Sequence, residues 1–426
     1  MASVKDLGKG KYRVFICNGF KADGKVNRTS KVIEAKSKKD AEKQANALEV
    51  DFKRGQQVQL AHAPTFNDLV EKWQEIKKPG MEYKTQERYE GFLNDFMIPY
   101  FGRMKVKDIK AYNITDYLKT LEKDGVRKDG KSGGYSEKTI RHHYMFIQTL
   151  LNFAVEREMI DLNPCVRLKA PKVHKREAGY YEDPEIGRLL QCLESEYNQS
   201  IKEAGGVGDV LSFDNLNSRQ CTDIFNCYMR KTYILVALVS ACRRSELIGL
   251  KIDNVKFENN TIIIKQTGHY TVENGIYFVE YLKNDSPSKT VDMPVTVMEQ
   301  LKEYIQVRKT FIDLMGWEDS GYLFISLKTG KVTTAGGPML PDVISQWFIK
   351  FLKRNNLPKI TLHEVRHTSI SYLINQGVDI KKVADRAGHQ NTRTTEEIYG
   401  HIYAKTRRAT ADIYDGLFTS KESKGE

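Results

Sequence analysis

Between residues 10 and 35, apolar and polar positions alternate through "KYRVFICNGF" and "NRTSKVIEA", with the stretch "KADGK" between them. A period of two, broken at Asp-Gly, predicts short antiparallel strands joined by a turn. From Ser37 the spacing changes to that of a helix, running through "SKKDAEKQANALEVDFKRG" to Gly55. The first 60 or so residues therefore read as a strand-strand-strand-helix module, the size of a DNA-binding head and too small for an enzyme.

Helical spacing governs the next segment. After "QQVQLAHAPTF", Thr65 and Asp68 form a capping-box pattern ahead of the stripe Leu69, Val70, Trp73 and Ile76. "TQERYEGFLNDFMIPYFG" places Tyr89, Phe92, Leu93 and Phe96 on one face, and "TDYLKTLEKDG" and "SEKTIRHHYMFIQTLLNFAVERE" add two more helices. A Gly- and Lys-rich loop, "VRKDGKSGGY", separates those two. "DLNPCVRLKAPKVHKRE", residues 161–177, carries two prolines and a basic bias and predicts a linker. Beyond it the pattern is mixed: a buried helix over Tyr233–Cys242, one sheet from "NTIIIKQT", "GIYFVEYLK" and "KTVDMPV", and further helices. Residues 195–229 fit neither period and read as an insertion. The expected organisation is multidomain and mainly α. A small three-stranded sheet plus helix spans 1–60, an all-helical domain 64–165, and an α+β domain with a C-terminal tail 175–426.

Composition narrows the function. The longest apolar run is ten residues, half of the roughly 20 that a membrane span needs. The N-terminus lacks an apolar signal core, so a cytoplasmic protein is expected. Six cysteines without a Cys-x-x-Cys pair argue against a disulfide framework or a zinc ribbon. Residues 1–60 hold 14 Lys and Arg against 7 Asp and Glu, so +7 of the chain's net +12 lies there. A basic module of that kind fits a nucleic-acid surface as well as a solvated face.

Three patterns in the last domain carry candidate chemistry. In "SACRRSELIGL" an apolar helix runs into Arg243, Arg244 and Glu246, where burial demands a charge partner. Either Glu246 and an arginine form a structural pair, or one arginine faces an anion with Glu246 holding it. In "TLHEVRHTSISYLINQG", His363 and Arg366 share a face at a helix start, which makes an anion site; His367 points elsewhere. In "RAGHQNTRTTEEIYGH", Gly388-His389 is followed ten residues later by Tyr399 and then by His401.

Each pattern alone suits an ordinary structural role. Their order, Arg…His-x-x-Arg…Gly-His…Tyr, resembles the signature of the tyrosine recombinases, or phage-type integrases. "CRRSEL" matches the first arginine box, "LHEVRHTS" the second, and "AGH" with "IYGH" the last. The three-part layout is similar to integrases of temperate phages and conjugative transposons, whose N-terminal domain reads arm-type DNA sites. The resemblance implies that Tyr399 attacks a scissile phosphate to give a 3′-phosphotyrosine, with Arg243 and Arg366 clamping the phosphate oxygens. It implies His363 as proton acceptor, His389 as a phosphate hydrogen-bond donor, and Glu246 as the support of the first arginine. The family's hairpin lysine corresponds to Lys283 or Lys289, and Lys283 is favoured because it follows the strand "GIYFVEYL". Val365 and Ala387 depart from the family's larger apolar choices, and Tyr403 and Tyr414 stand at the wrong distance from His389.

The partners implied are double-stranded DNA at core and arm sites, a homo-tetramer on DNA, and accessory bending and directionality proteins, with no membrane. No cofactor, metal or ATP is implied. Two other readings are an architectural DNA-binding protein of the same fold and a type IB topoisomerase. The filled motif positions weigh against the first, and the basic head and helical domain against the second.

Overall fold

In a computed structural model, residues 3–8, 10–20, 26–53, 63–174, 179–205, 213, 215–280 and 288–388 are described. The chain divides into two compact units, Met1–His174 and Lys175–Glu426.

The first unit begins with an antiparallel sheet in the order β1 (Ser3–Gly8), β2 (Lys11–Phe20), β3 (Val26–Glu34). Tyr12, Val14 and Ile16 are buried, so the period of two places one side of β2 on a core with Ala45 of α1 (Lys38–Lys53). Ser37 caps α1 by accepting the Asp40 N–H at 3.3 Å. The predicted "KADGK" turn lies outside the described residues.

The helical part comprises α2 (Phe66–Lys77), α3 (Tyr83–Phe92), α4 (Ile98–Phe101), α5 (Ala111–Leu121) and α6 (Glu137–Glu156). Thr65 and Asp68 form the expected capping box on α2. Leu69, Val70 and Trp73 are buried but Ile76, on the same predicted stripe, is 46% exposed. Between α3 and α4 the residues Leu93–Met97 form a π turn. Pro99 follows: it has no N–H to give, its ring crowds the carbonyl four residues back, and a wider turn relieves that clash. Tyr89 stacks on Phe146 at 3.9 Å, and Trp73 meets both edge-on. The start of the basic stretch is fastened to this core, for Cys165 is buried and its carbonyl accepts the Tyr144 hydroxyl at 3.2 Å.

In the second unit, α7 (Asp183–Glu203) and α8 (Ser218–Ser240) lead to the short α9 (Arg244–Ile248). The described residues of the stretch read as an insertion are largely parts of α7 and α8. Tyr197 stacks on Tyr228 at 4.9 Å, and Phe225 on Phe311 of α10 (Val295–Met315) at 4.2 Å, inside the main core. Dense Asn, Gln and Ser dilute the apolar stripe there and hide its helical period.

Two β elements stand where one sheet was expected. β4 (Val255–Lys256), β5 (Thr261–Ile264) and β8 (Lys289–Asp292) form one antiparallel sheet, while β6 (Gln266–Thr271) and β7 (Gly275–Glu280) form a separate hairpin. Close approach to α9 accounts for the hairpin's placement. A Cβ on Gly268 would meet Ile248 at 2.5 Å, and one on Gly249 would meet the Gln266 carbonyl at 2.5 Å. The unit continues with α11 (Pro341–Arg354), α12 (Leu362–Asn375) and α13 (Ile380–Ala387). Among the described residues, no helix is long and apolar enough to cross a membrane.

Candidate active site

The last carbonyls of a helix have no partner within it, and α8 ends in the core. The Ser240 hydroxyl donates to the Val236 carbonyl at 2.6 Å and accepts the Cys242 N–H at 3.2 Å. Ala241, fully buried, takes a left-handed conformation at φ +51°, which costs a residue with a Cβ about 1–2 kcal/mol. Two arginines from later helices close this end. Arg386 Nη2 donates to the Val239 carbonyl at 2.7 Å, and Arg366 Nη1 to the Ala241 carbonyl at 2.6 Å. Cations are favoured at a helix C terminus by the aligned peptide dipoles.

Arg243 follows as the N-cap of α9, with Glu246 as its capping partner. The Arg243 backbone N–H donates to Glu246 Oε2 at 2.8 Å, and its Nη1 donates to Oε1 at 2.8 Å. The Glu246 side chain is 1% exposed and that of Arg243 40%, so a buried carboxylate holds a guanidinium that still faces outward. Behind them Lys289 Nζ lies 3.4 Å from Glu246 Oε2 and 3.7 Å from Cys242 Sγ. Burial pushes the Glu246 carboxyl up. The Lys289 ammonium, the Arg243 side chain and N–H, and the Arg366 charge outweigh it, holding the group below the usual carboxylate range.

Arg244 divides from its neighbour. Its Nη1 donates to Ser345 Oγ at 2.7 Å, the Pro341 carbonyl at 3.1 Å and Asp342 Oδ1 at 3.2 Å, bracing α9 against α11. Of the two adjacent arginines, Arg243 belongs to the cluster and Arg244 to the scaffold.

Thr361 and Glu364 form a capping box that starts α12, so His363 and Arg366 emerge in its opening turns. Arg366 is 2% exposed, whereas the His363 ring reaches the surface. Dense protein surroundings, then the charges of Arg366 and Arg243, hold the His363 imidazole below its ordinary value. Its ring meets that of His367 edge-on at 4.8 Å. Burial, then His363 and Arg366, depress His367 to about 4. At its far end α13 stops at Gly388, φ +69°, whose carbonyl lies 3.4 Å from Arg243 Nη2.

Arg243, Glu246, His363 and Arg366 therefore belong to one neighbourhood, linked through hydrogen bonds at the end of α8 and through the charges that act on His363. Lys283, His389, His401, Tyr399, Tyr403 and Tyr414 lie outside the described residues. Sequence reasoning gave Arg386 no role and treated Lys289 only as a hairpin lysine. The available signal for Lys289 was its alternation with Val291, which puts both on the buried side of β8. Arg243, Lys289 and Arg366 all act on the Glu246 carboxylate, and the outward-facing Arg243 guanidinium suits a phosphate. Among the described residues no group of three or more His, Cys, Asp or Glu could hold a metal ion.

Comparison with known proteins places the chain in a family. The model of the phage integrase family matches residues 214–406, and that of the phage integrase N-terminal SAM-like domain residues 65–121. The two matches together span more than half of the chain. The ICEBs1 integrase of Bacillus subtilis is 23% identical over 97% of this chain and 100% of its own length. A tyrosine recombinase XerC-like protein of Caldanaerobacter subterraneus is 25% identical over 96% of this chain and 97% of its own. Among solved structures, the Tn1549 transposon integrase bound to circular intermediate DNA aligns with a TM-score of 0.60 at 18% identity. That alignment covers 81% of this chain and 99% of the other. The chain belongs to the phage integrase family, the tyrosine-type site-specific recombinases.

Proposed function

We propose that this recombinase integrates and excises a mobile element, with Tyr399 as nucleophile and Arg243, Arg366, His363, His389 and Lys283 as the other catalytic residues. The observation that carries the reading is the shared anchorage of the two arginines. Arg366 hangs from the Ala241 carbonyl, Arg243 begins two residues later, and Arg243 reaches the Gly388 carbonyl next to His389.

The Tyr399 oxygen forms a bond to the scissile phosphorus while the bond from phosphorus to the 5′-oxygen breaks, leaving a 3′-phosphotyrosine. A phenol ordinarily ionises near pH 10, so the attack needs a base. His363, held neutral by its surroundings, takes the proton. Lys283 protonates the departing 5′-oxygen, and His389 hydrogen-bonds the phosphate. Arg243 and Arg366 stabilise charge that builds on the non-bridging oxygens. A 5′-hydroxyl of the partner strand then reverses the attack and conserves the bond energy, so no ATP is spent.

Residues 1–60 bind arm-type sites, 64–165 the core site, and 175–426 carry out the chemistry, as a homo-tetramer on double-stranded DNA. Accessory bending and directionality proteins complete the assembly in the host cytoplasm. The names of similar proteins support this reading: a Lactococcus lactis relative is called a prophage integrase, and the Tn1549 protein a transposon integrase.

The test is covalent trapping on a nicked duplex bearing the element's own end, resolved on a denaturing gel. Wild type and Tyr403→Phe are expected to form the adduct and Tyr399→Phe to lose it. Absence of adduct from wild-type protein bound to that DNA would favour an architectural role instead.

A further inference from the structure

We propose that Lys289 is a positioning residue of the recombinase site, holding Glu246 so that Glu246 can hold Arg243, and that it does not protonate the leaving group. The inference rests on the reading of Arg243 as a phosphate clamp and deepens it.

The geometry separates Lys289 from substrate. Its side chain is 5% exposed, on the same side of β8 as buried Val291, and its ammonium meets Glu246 Oε2 at 3.4 Å. That oxygen also accepts the Arg243 backbone N–H, while the other accepts the Arg243 guanidinium. Both oxygens of the carboxylate are thus committed, and its plane is fixed from three directions. The groups around it are Arg243 and Cys242 at the junction of α8 and α9, Lys289 on β8, and Arg366 on α12. Without Lys289, a carboxylate that is 1% exposed keeps one close ion-pair partner, Arg243, whose own side chain is 40% exposed. Arg243 is then drawn inward to satisfy the carboxylate, away from the phosphate it should meet.

A proton donor and a positioning residue respond differently to the leaving group. With sulfur in place of the bridging 5′-oxygen, the departing group leaves as a thiolate and needs little protonation. Single-turnover adduct formation is measured on nicked duplexes carrying either atom. Lys289→Met is expected to slow both substrates equally, by about a hundredfold. Lys289→Arg keeps the charge and should recover most of that loss. Lys283→Ala should be rescued by the sulfur substrate, which shows that the assay reports on the proton donor. The double variant Glu246→Gln with Lys289→Met removes the buried carboxylate and ammonium together, so it keeps the test usable if Lys289→Met alone fails to fold. It should be no slower than Glu246→Gln alone, since both changes break one path.

Rescue of Lys289→Met by sulfur, a wild-type rate in a folded Lys289→Met protein, or additive losses in the double variant each overturn the proposal. If wild type forms no adduct with either substrate, the underlying reading of the site falls, and this proposal with it.

Discussion

Arg308 of α10 and the cations at the end of α8 are buried charges in the same unit, and they differ in what faces them. The Arg308 side chain is completely buried and pairs with Asp319 through two hydrogen bonds, Nη1–Oδ2 at 2.9 Å and Nη2–Oδ1 at 2.6 Å. Those hydrogen bonds hold the Asp319 carboxyl below the usual range despite partial burial. One cation meets one anion, and the pair is closed. At the end of α8, Arg243, Lys289 and Arg366 all act on the Glu246 carboxylate, and Arg243 remains 40% exposed. An exposed guanidinium held by a buried carboxylate keeps donors turned outward, which a closed pair does not.

The largest effects should come from cutting each cluster. Arg308→Met breaks the pair, leaving Asp319 half-exposed, and is expected to cost about 1.5–3 kcal/mol of stability in denaturant unfolding. Adduct formation per folded molecule should be unchanged. Arg243→Ala is expected to do the opposite, slowing adduct formation about 10²–10³-fold, or roughly 3–4 kcal/mol of transition-state stabilisation. Its midpoint of unfolding should hardly move. Equal destabilisation by the two variants would erase the distinction between a closed pair and an open site.

Acid should loosen the two places in sequence. His367 beside the open cluster is depressed to about 4, against about 6.5 in an unfolded chain. Between those values the unfolded chain binds the extra proton. The stability from the neutral buried ring is therefore whole above about pH 6.5, and about 3 kcal/mol is lost as pH falls to 4. Asp319 has the opposite sense. Its contribution persists above the ordinary carboxylate value and is lost only as pH falls below it. Amide exchange at pH 7 and pH 5 should show protection falling in α12 while α10 holds. Simultaneous loss in both helices would contradict the assignment.

How far the sequence foretold this differs residue by residue. The Thr65–Asp68 box and the helix start before His363 were legible, since capping chemistry is local and depends on adjacent residues. Arg243, Glu246, His363 and Arg366 were legible as candidates because their spacing is a family pattern. Which of Arg243 and Arg244 faces the site was not a local matter: Ser345 and Asp342, about a hundred residues away, decide it. The burial of Lys289 could be read from its alternation with Val291, but its place beside Glu246 depends on β8 pairing with β5, Ile264 opposite Lys289, which no spacing within β8 reveals. Separation of the β6–β7 hairpin from the sheet follows from the closeness of Gly249 and Gly268 to their neighbours, again a tertiary fact.

The smallest expected effect probes the exposed Arg243 without DNA. The exposed Arg243 guanidinium should bind sulfate weakly, and a ligand that binds only the folded chain raises its stability in proportion to RT ln(1 + [L]/Kd). At sulfate several times its Kd, the gain is on the order of 1 kcal/mol. Sulfate also stabilises proteins generally by exclusion from their surface, so the useful quantity is the difference between variants at the same concentration. Wild type should gain more than Arg243→Ala, because removing Arg243 removes the exposed arm of the cluster. Arg308→Met should gain as much as wild type, because the closed pair offers sulfate no charge in either protein. The order is therefore wild type equal to Arg308→Met, with Arg243→Ala behind. If all three gain equally, the cluster is balanced by contacts other than substrate, and its contrast with Arg308 is one of exposure alone.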